Sequence, residues 1–154
     1  MELIPCIQTL AHLNAIVRWP AYRESVDTAD ILLAGDEKVY ELIDKMFQAI
    51  SKGLSSKNIH IGFDEAFGIG TGNYLNKYGK ADGKELILRH LTKVLDIAKK
   101  YGYACEIWYD MLTEKSDSAI TPAQVKDSLH ENTSIVFWNY DEKDEATLSQ
   151  QIDE

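Results

Sequence analysis

Four short apolar runs alternate with helix-length segments, and this alternation restricts the chain to parallel α/β architectures. The runs are Leu3 to Leu10 (LIPCIQTL), Asn58 to Phe63 (NIHIGF), Ala104 to Tyr109 (ACEIWY) and Thr133 to Asn139 (TSIVFWN). They are continuously apolar rather than alternating, as expected of strands covered on both faces. After Asp36, apolar residues recur at Val39, Leu42, Ile43, Met46, Phe47 and Ile50, the spacing of one helix face. Leu86, Ile87, Leu91, Val94, Leu95 and Ala98 repeat the pattern before Tyr101 and Gly102. Asp36 is the expected N-cap of the first helix and Gly53 its expected stop. Thr121 and Pro122 open a short third helix. The acidic tail from Asp141, with Ala146, Leu148 and Ile152, reads as a fourth. Parallel neighbours need helix-length, right-handed crossovers. The expectation is α/β: four parallel strands in chain order with helices outside, residues 1–154 forming one unit without a linker or second domain.

The formal charge is −9, from 16 Lys plus Arg against 25 Asp plus Glu. Nucleic acids and anionic lipids bind basic patches, so neither is an expected partner. No apolar run approaches the roughly 18 residues of a membrane helix. The opening MELIPCIQTLAHL carries no basic leader and no signal-type apolar region, so the expected location is cytoplasmic. Cys6 and Cys105 fall in apolar strands and are expected as buried free thiols. No His or Cys pair has metal-ligand spacing, and no phosphate loop follows the first strand. Neither a metal nor another cofactor is therefore expected. Gly68, Gly70 and Gly72 imitate a phosphate loop, but they follow an Asp-Glu pair and lack a Lys-Ser/Thr ending.

In parallel α/β folds the reactive groups gather at the carboxyl ends of the strands. Those ends carry Gln8 and His12, then Asp64 and Glu65, then Trp108 and Asp110, then Trp138, Asn139, Tyr140 and Asp141. Carboxylates beside indoles suit a sugar, whose C–H faces pack on aromatic rings and whose hydroxyls need acceptors. Paired acids suit glycoside cleavage. Each group also has an ordinary structural reading. An Asp-Glu pair can be solvated charge, the tryptophans can pack strands on helices, and His12 can cap a helix or bond a carbonyl. Trp19, in RWPAY, is expected to pack its own loop, and His60 to be a satisfied core histidine. The long segment Asn14 to Gly35 is expected to be functional or to carry short elements of its own.

IHIGFDEAFGIGTGNY resembles the H-x-G-G-D-E signature of family 20 glycoside hydrolases, the β-N-acetylhexosaminidases, with His60, Gly62, Asp64 and Glu65 on its fixed positions. PCIQTLAHL resembles the preceding strand end, with His12 in the histidine place. EIWYDM and IVFWNYDEKD resemble the next two, with Trp108 and Trp138 as pocket walls. The resemblance is strongest to a bacterial N-acetylglucosaminidase branch. Two positions depart from the pattern: Phe63 stands at the second glycine of the motif, and Ala11 at the glycine before His12.

The resemblance implies a (β/α)₈ barrel of which these are strands three to six, the family's strand-one arginine and its groups on strands seven and eight being absent. A whole barrel takes about 250 residues. The chain therefore reads as a barrel segment, inactive by itself. The implied reaction removes terminal β-linked N-acetylhexosamine with help from the substrate. The 2-acetamido oxygen attacks the anomeric carbon, Glu65 acts as acid and then base, and Asp64 holds the acetamido group. Asp110 and Tyr140 join His12, Trp108 and Trp138 as substrate-binding candidates, and the implied partners are glycans containing N-acetylglucosamine or N-acetylgalactosamine. Two alternatives stand beside this: a two-carboxylate retaining glycosidase with Asp110 as nucleophile, and a sugar-binding half-barrel without turnover. Strands near 3–8 and 133–139 would leave open edges. The isolated chain is accordingly expected to self-associate and melt weakly. Light scattering showing a monodisperse monomer with a cooperative high-temperature melt would contradict that.

Overall fold

The computed structural model describes residues 2–112, 120–140 and 144–153. A parallel sheet forms its centre: β3 (Asn58–His60) pairs with β4 (Ala104–Trp108), which pairs with β5 (Thr133–Val136). Cys6 joins β3 by one parallel bridge to His60. The segments at Cys6, β3, β4 and β5 are thus parallel and adjacent in chain order, as the alternation requires. Between Cys6 and β3 come α1 (Asn14–Val17), a 3₁₀ turn at Pro20–Ser25, a small antiparallel pair β1 (Val26–Thr28) and β2 (Ile31–Leu32), and α2 (Glu37–Gly53). Helices α3 (Asn73–Tyr78) and α4 (Gly83–Lys100) link β3 to β4. A short α5 (Pro122–Ser128) precedes β5, and α6 (Glu145–Asp153) follows it. Among the described residues, no helix is long and apolar enough to cross a membrane.

The first expected strand, Leu3 to Leu10, is only that one bridge. The backbone bonds there are Ile7 N–H to His60 O and His60 N–H to Pro5 O, both 2.9 Å. Pro5 has no N–H to extend the ladder, and the Leu10 carbonyl turns away to accept from Leu32 N–H at 2.8 Å. Regular β3 likewise stops at His60 rather than Phe63. Ile61 N–H still reaches Glu106 O at 2.8 Å, but Gly62 and Phe63 then take φ of 70° and 86°, which no strand tolerates. β5 ends at Val136, short of the expected Asn139.

Asp36 caps α2, accepting from Lys38 N–H at 3.0 Å. Burial works against its ionisation, but Lys77 at 2.5 Å and the capping bond leave its carboxyl below the ordinary range. Gly53 does not stop α2 in a left-handed conformation; it is the last helical residue, and Leu54 is the extended cap. Gly102 does take the left-handed turn after α4, at φ 73°. Thr121 and Gln124 form a reciprocal capping box on α5. The tail helix begins at Glu145, and Asp141 lies outside the described residues.

Val39, Ile43 and Phe47 of α2 and Ile87, Leu91, Val94 and Ala98 of α4 pack on Ile59, Ile61, Cys105 and Ile107, all buried. Ile59 and Ile107 are fully buried. Such side chains contribute roughly 1.5–3 kcal/mol each. The opposite face carries Glu106 and Trp108, both half-buried. Cys105 is buried as expected, and burial pushes its thiol up to about 12. Cys6 is exposed rather than buried, because its side chain lies on the edge segment, held by a single bridge.

One buried polar chain crosses this core. Gly35 N–H donates to Tyr40 Oη at 3.1 Å, Tyr40 Oη lies 3.3 Å from His90 Nδ1, and His90 Nε2 lies 2.8 Å from Thr9 O. A neutral imidazole protonated at Nε2 satisfies every member. Burial pushes His90 from 6.5 down to about 4, against a smaller upward pull from Thr9. The unfolded chain therefore binds a proton between those values that the fold excludes. Stability is complete above pH 6.5 and falls as pH drops toward 4, by about 2 kcal/mol at pH 5. His60, also lowered by burial, acts in the same direction. Urea titrations at pH 7 and pH 5 test this, and equal midpoints would rule it out.

Candidate active site

Loops leaving the carboxyl ends of the parallel segments bring an imidazole and two carboxylates together. His12 Nε2 lies 3.4 Å from Asp64 Oδ2 and 3.5 Å from Glu65 Oε2. The side chains of His12 and Glu65 are 40% and 48% exposed and that of Asp64 20%, so Asp64 is the most enclosed of the three. His12 does not cap a helix. A left-handed φ of 59° carries it out of the Leu10–Ala11 stretch toward the acids.

The geometry at Asp64 rests on Gly62. Gln8 Nε2 donates to Asp64 Oδ1 at 3.2 Å, passing over Gly62. A Cβ on Gly62 would lie 2.0 Å from Gln8 Oε1, and its φ of 70° already favours glycine. Phe63 follows at φ 86° with its ring fully buried and 5.8 Å from the His90 ring. Glu65 is also left-handed, at φ 53°. Its N–H donates to Asp110 Oδ2 at 2.9 Å. Burial pushes the Asp110 carboxyl up. The Glu65 N–H and a Trp138 side-chain bond pull it part of the way back, and Asp64 adds to the rise.

Trp108 lies over His60, ring centroids 4.3 Å apart. His60 is buried, its Nδ1 accepting from Gly62 N–H at 3.0 Å. It is not fully satisfied: among the described residues Nε2 has no partner. Trp138 is half-buried, and Tyr140, 85% exposed, lies 5.3 Å from it by ring centroid. Trp19 is 56% exposed with the Arg18 guanidinium over its ring, so it does not pack its loop; Pro20 starts the 3₁₀ turn and leaves it outside.

The glycine-rich loop after Glu65 is closed to phosphate. Asp27, 3% exposed, already accepts from Gly70 N–H at 2.5 Å, Gly72 N–H at 3.1 Å and Tyr74 N–H at 2.8 Å. Among the described residues no three His, Cys, Asp or Glu side chains are grouped to hold a metal ion.

The profile for "Glycosyl hydrolase family 20, catalytic domain" matches residues 8–153. The chain belongs to that family. Solved structures agree on the fold. An exo β-N-acetylglucosaminidase from Vibrio harveyi, in complex with N-acetylglucosamine, superposes on 97% of this chain with TM-score 0.67 and 20% identity. A β-N-acetylhexosaminidase from Bacteroides fragilis gives 90%, 0.64 and 19%. Dispersin B gives 99%, 0.65 and 18%. This chain spans 24%, 28% and 42% of those chains, in that order. No curated protein matches it. The parallel segments and their helices are accordingly part of a TIM barrel.

Family membership gives the strain at Phe63 its meaning, because the family signature has glycine there. Sequence reasoning missed the Gln8 bond to Asp64 and the whole role of Asp27. Gln8 carried a signal, standing at a strand end opposite a motif glycine. Asp27 carried none, being one of many acids in a long loop. A bulky residue at positive φ costs about 1–3 kcal/mol, whereas removing a buried phenyl ring costs about 3–5. Phe63→Gly should therefore destabilise the fold by about 2 kcal/mol despite restoring the family residue. Denaturant unfolding checks this, and a more stable variant would show that strain outweighs packing.

Proposed function

We propose that this chain carries the catalytic pair of a β-N-acetylhexosaminidase acting on glycans that end in β-linked N-acetylglucosamine or N-acetylgalactosamine. The observation that supports it is the adjacent Asp64 and Glu65 at the end of β3, both within 3.5 Å of His12, in a family 20 chain. Neighbouring residues on one strand end cannot straddle a glycosidic bond like the two acids of an ordinary retaining enzyme, which come roughly 5 Å apart from either side. They can instead address two parts of one folded substrate. The acetamido oxygen attacks the anomeric carbon as the bond to the leaving oxygen breaks, and Glu65 gives that oxygen its proton. Asp64 accepts from the acetamido N–H and balances the positive oxazolinium. Glu65, now a carboxylate, takes a proton from water, which attacks the same carbon and reopens the ring with net retention.

The two-carboxylate alternative needs Asp110 as nucleophile. Its carboxylate is engaged by Glu65 N–H and Trp138, and burial favours its protonated form. Both facts weigh against it. Trp138 and Trp108 are proposed as apolar walls for the sugar, and Tyr140 as an outer contact.

The test uses protein in which the barrel is closed, because the 154-residue polypeptide alone is expected to turn over little substrate. Glu65→Gln should lower turnover about 10²-fold or more on glycosides with poor leaving groups, and much less on activated aryl glycosides. Asp64→Asn should impair both, because the oxazolinium loses its counter-charge whatever departs. Equal losses for Glu65→Gln on the two substrates would remove it from the acid role, and full activity of Asp64→Asn would remove substrate assistance.

A further inference from the structure

Between Glu65 and Tyr74 the loop packs only Ala66 and Ile69 into the core. One flank borders a cavity of about 420 Å³ lined by Ala66, Phe67, Ile69, Leu75, Ile87 and Met111. Phe67 is 63% exposed. Two local turns shape the loop, Ile69 N–H to Ala66 O at 3.1 Å and Thr71 N–H to Gly68 O at 3.2 Å. Neither ties it to another part of the protein. Asp27 does. Its buried carboxylate takes the three N–H groups of Gly70, Gly72 and Tyr74, and Asn73 Nδ2 adds a bond to Val26 O at 3.0 Å. The contact is close enough that a Cβ on Gly72 would lie 2.2 Å from Asp27 O. A buried carboxylate is stable only when its oxygens are satisfied, so the bonds and the burial require each other.

Asp27 belongs to the segment that starts at His12. That segment is anchored to the chain just before His12 by Leu32 N–H to Leu10 O and to itself by Leu33 N–H to Ser25 O, both 2.8 Å. Asp27 therefore joins the loop bearing His12 to the loop bearing Glu65. From its other side Glu65 is held by Asp110. We propose that Asp27 is a positioning residue that sets the separation between His12 and Glu65 by clamping the Gly70–Tyr74 backbone. The inference rests on the reading of Glu65 above for its catalytic consequence, but the geometric claim stands apart from turnover. Displacement of about 1 Å at a reacting group can lower rates about 10²-fold, which makes such a clamp matter.

The experiment compares Asp27→Asn and Asn73→Ala with the parent chain by NMR. Asp27→Asn leaves one acceptor oxygen facing three N–H groups, and Asn73→Ala removes only the exposed neighbouring bond. The amides of Gly70, Gly72 and Tyr74 should exchange about tenfold faster or more in Asp27→Asn. The His12 ring resonances should shift in both variants, more in Asp27→Asn, while those of buried His90 and of His130, beside Asp96 at 3.4 Å, stay in place. His12 resonances that do not move overturn the proposal, as does movement of His90 together with His12, the mark of general loosening. If Asp27→Asn does not fold, Asn73→Ala alone decides by the same criteria. In closed-barrel protein, Asp27→Asn should reduce kcat more than it changes KM. Because the ring resonances need no substrate, failure of the hydrolase reading and failure of the clamp give different results.

Discussion

Parallel pairing is the constraint on which everything else depends. Strands that run the same way send every strand-to-loop exit to one edge, so side chains far apart in sequence meet there without any need for sequence proximity. His12, Asp64, Glu65, Asp110 and Trp138 follow successive parallel segments, and contacts among the first four close at 2.9 to 3.5 Å. The helices α2 and α4 enforce that pairing by burying one face of β3 and β4 under aliphatic side chains. The His90 chain adds direction to an otherwise non-directional core. It links α4 to the Thr9 carbonyl and to Tyr40 of α2, fixing where the His12 segment lies relative to β3.

The end of β3 concentrates the backbone strain. Gly62, Phe63 and Glu65 all have positive φ within four residues. Gly62 meets no steric penalty and leaves room for Gln8. Phe63 does meet one, offset by a fully buried ring against His90. Glu65 is held left-handed by the Asp110 acceptor on its N–H. Strain of this kind persists only where surrounding contacts over-determine the backbone. Here those contacts are the Phe63 ring below, Asp110 to one side and the Asp27 clamp beyond.

Charge is arranged with equal economy. The chain is strongly acidic, yet its innermost acids are each matched to donors. Asp27 has three backbone N–H groups, Asp36 has Lys77 and a capping bond, and Asp64 has the Gln8 amide, with the His12 imidazole 3.4 Å away. Among the described acids of the site, Glu65 is the one left most open to solvent, at 48%.

The order and direction of the strands, both long helices and the Asp-Glu pair were legible in the sequence, because hydrophobic period and a short contiguous motif are local properties. Asp36 as a cap and Gly102 as the end of α4 were legible for the same reason: each acts on its own few residues. The sequence misplaced what depends on neighbours. Cys6 and Trp19 are apolar side chains in runs or loops that read as packed, and both are exposed, because burial is a property of what lies opposite. Pro5 shortened the first strand by withholding a single N–H that only the pairing with β3 makes necessary. The sequence already set the glycine-rich loop apart from a phosphate loop, but not its partner Asp27, more than forty residues earlier, whose carboxylate takes its N–H groups. Composition and period thus determined which elements exist and which strand ends carry acids. Tertiary structure alone decided which donors those acids meet, because a hydrogen bond depends on distances of a few tenths of an ångström between groups that the chain brings together only by folding.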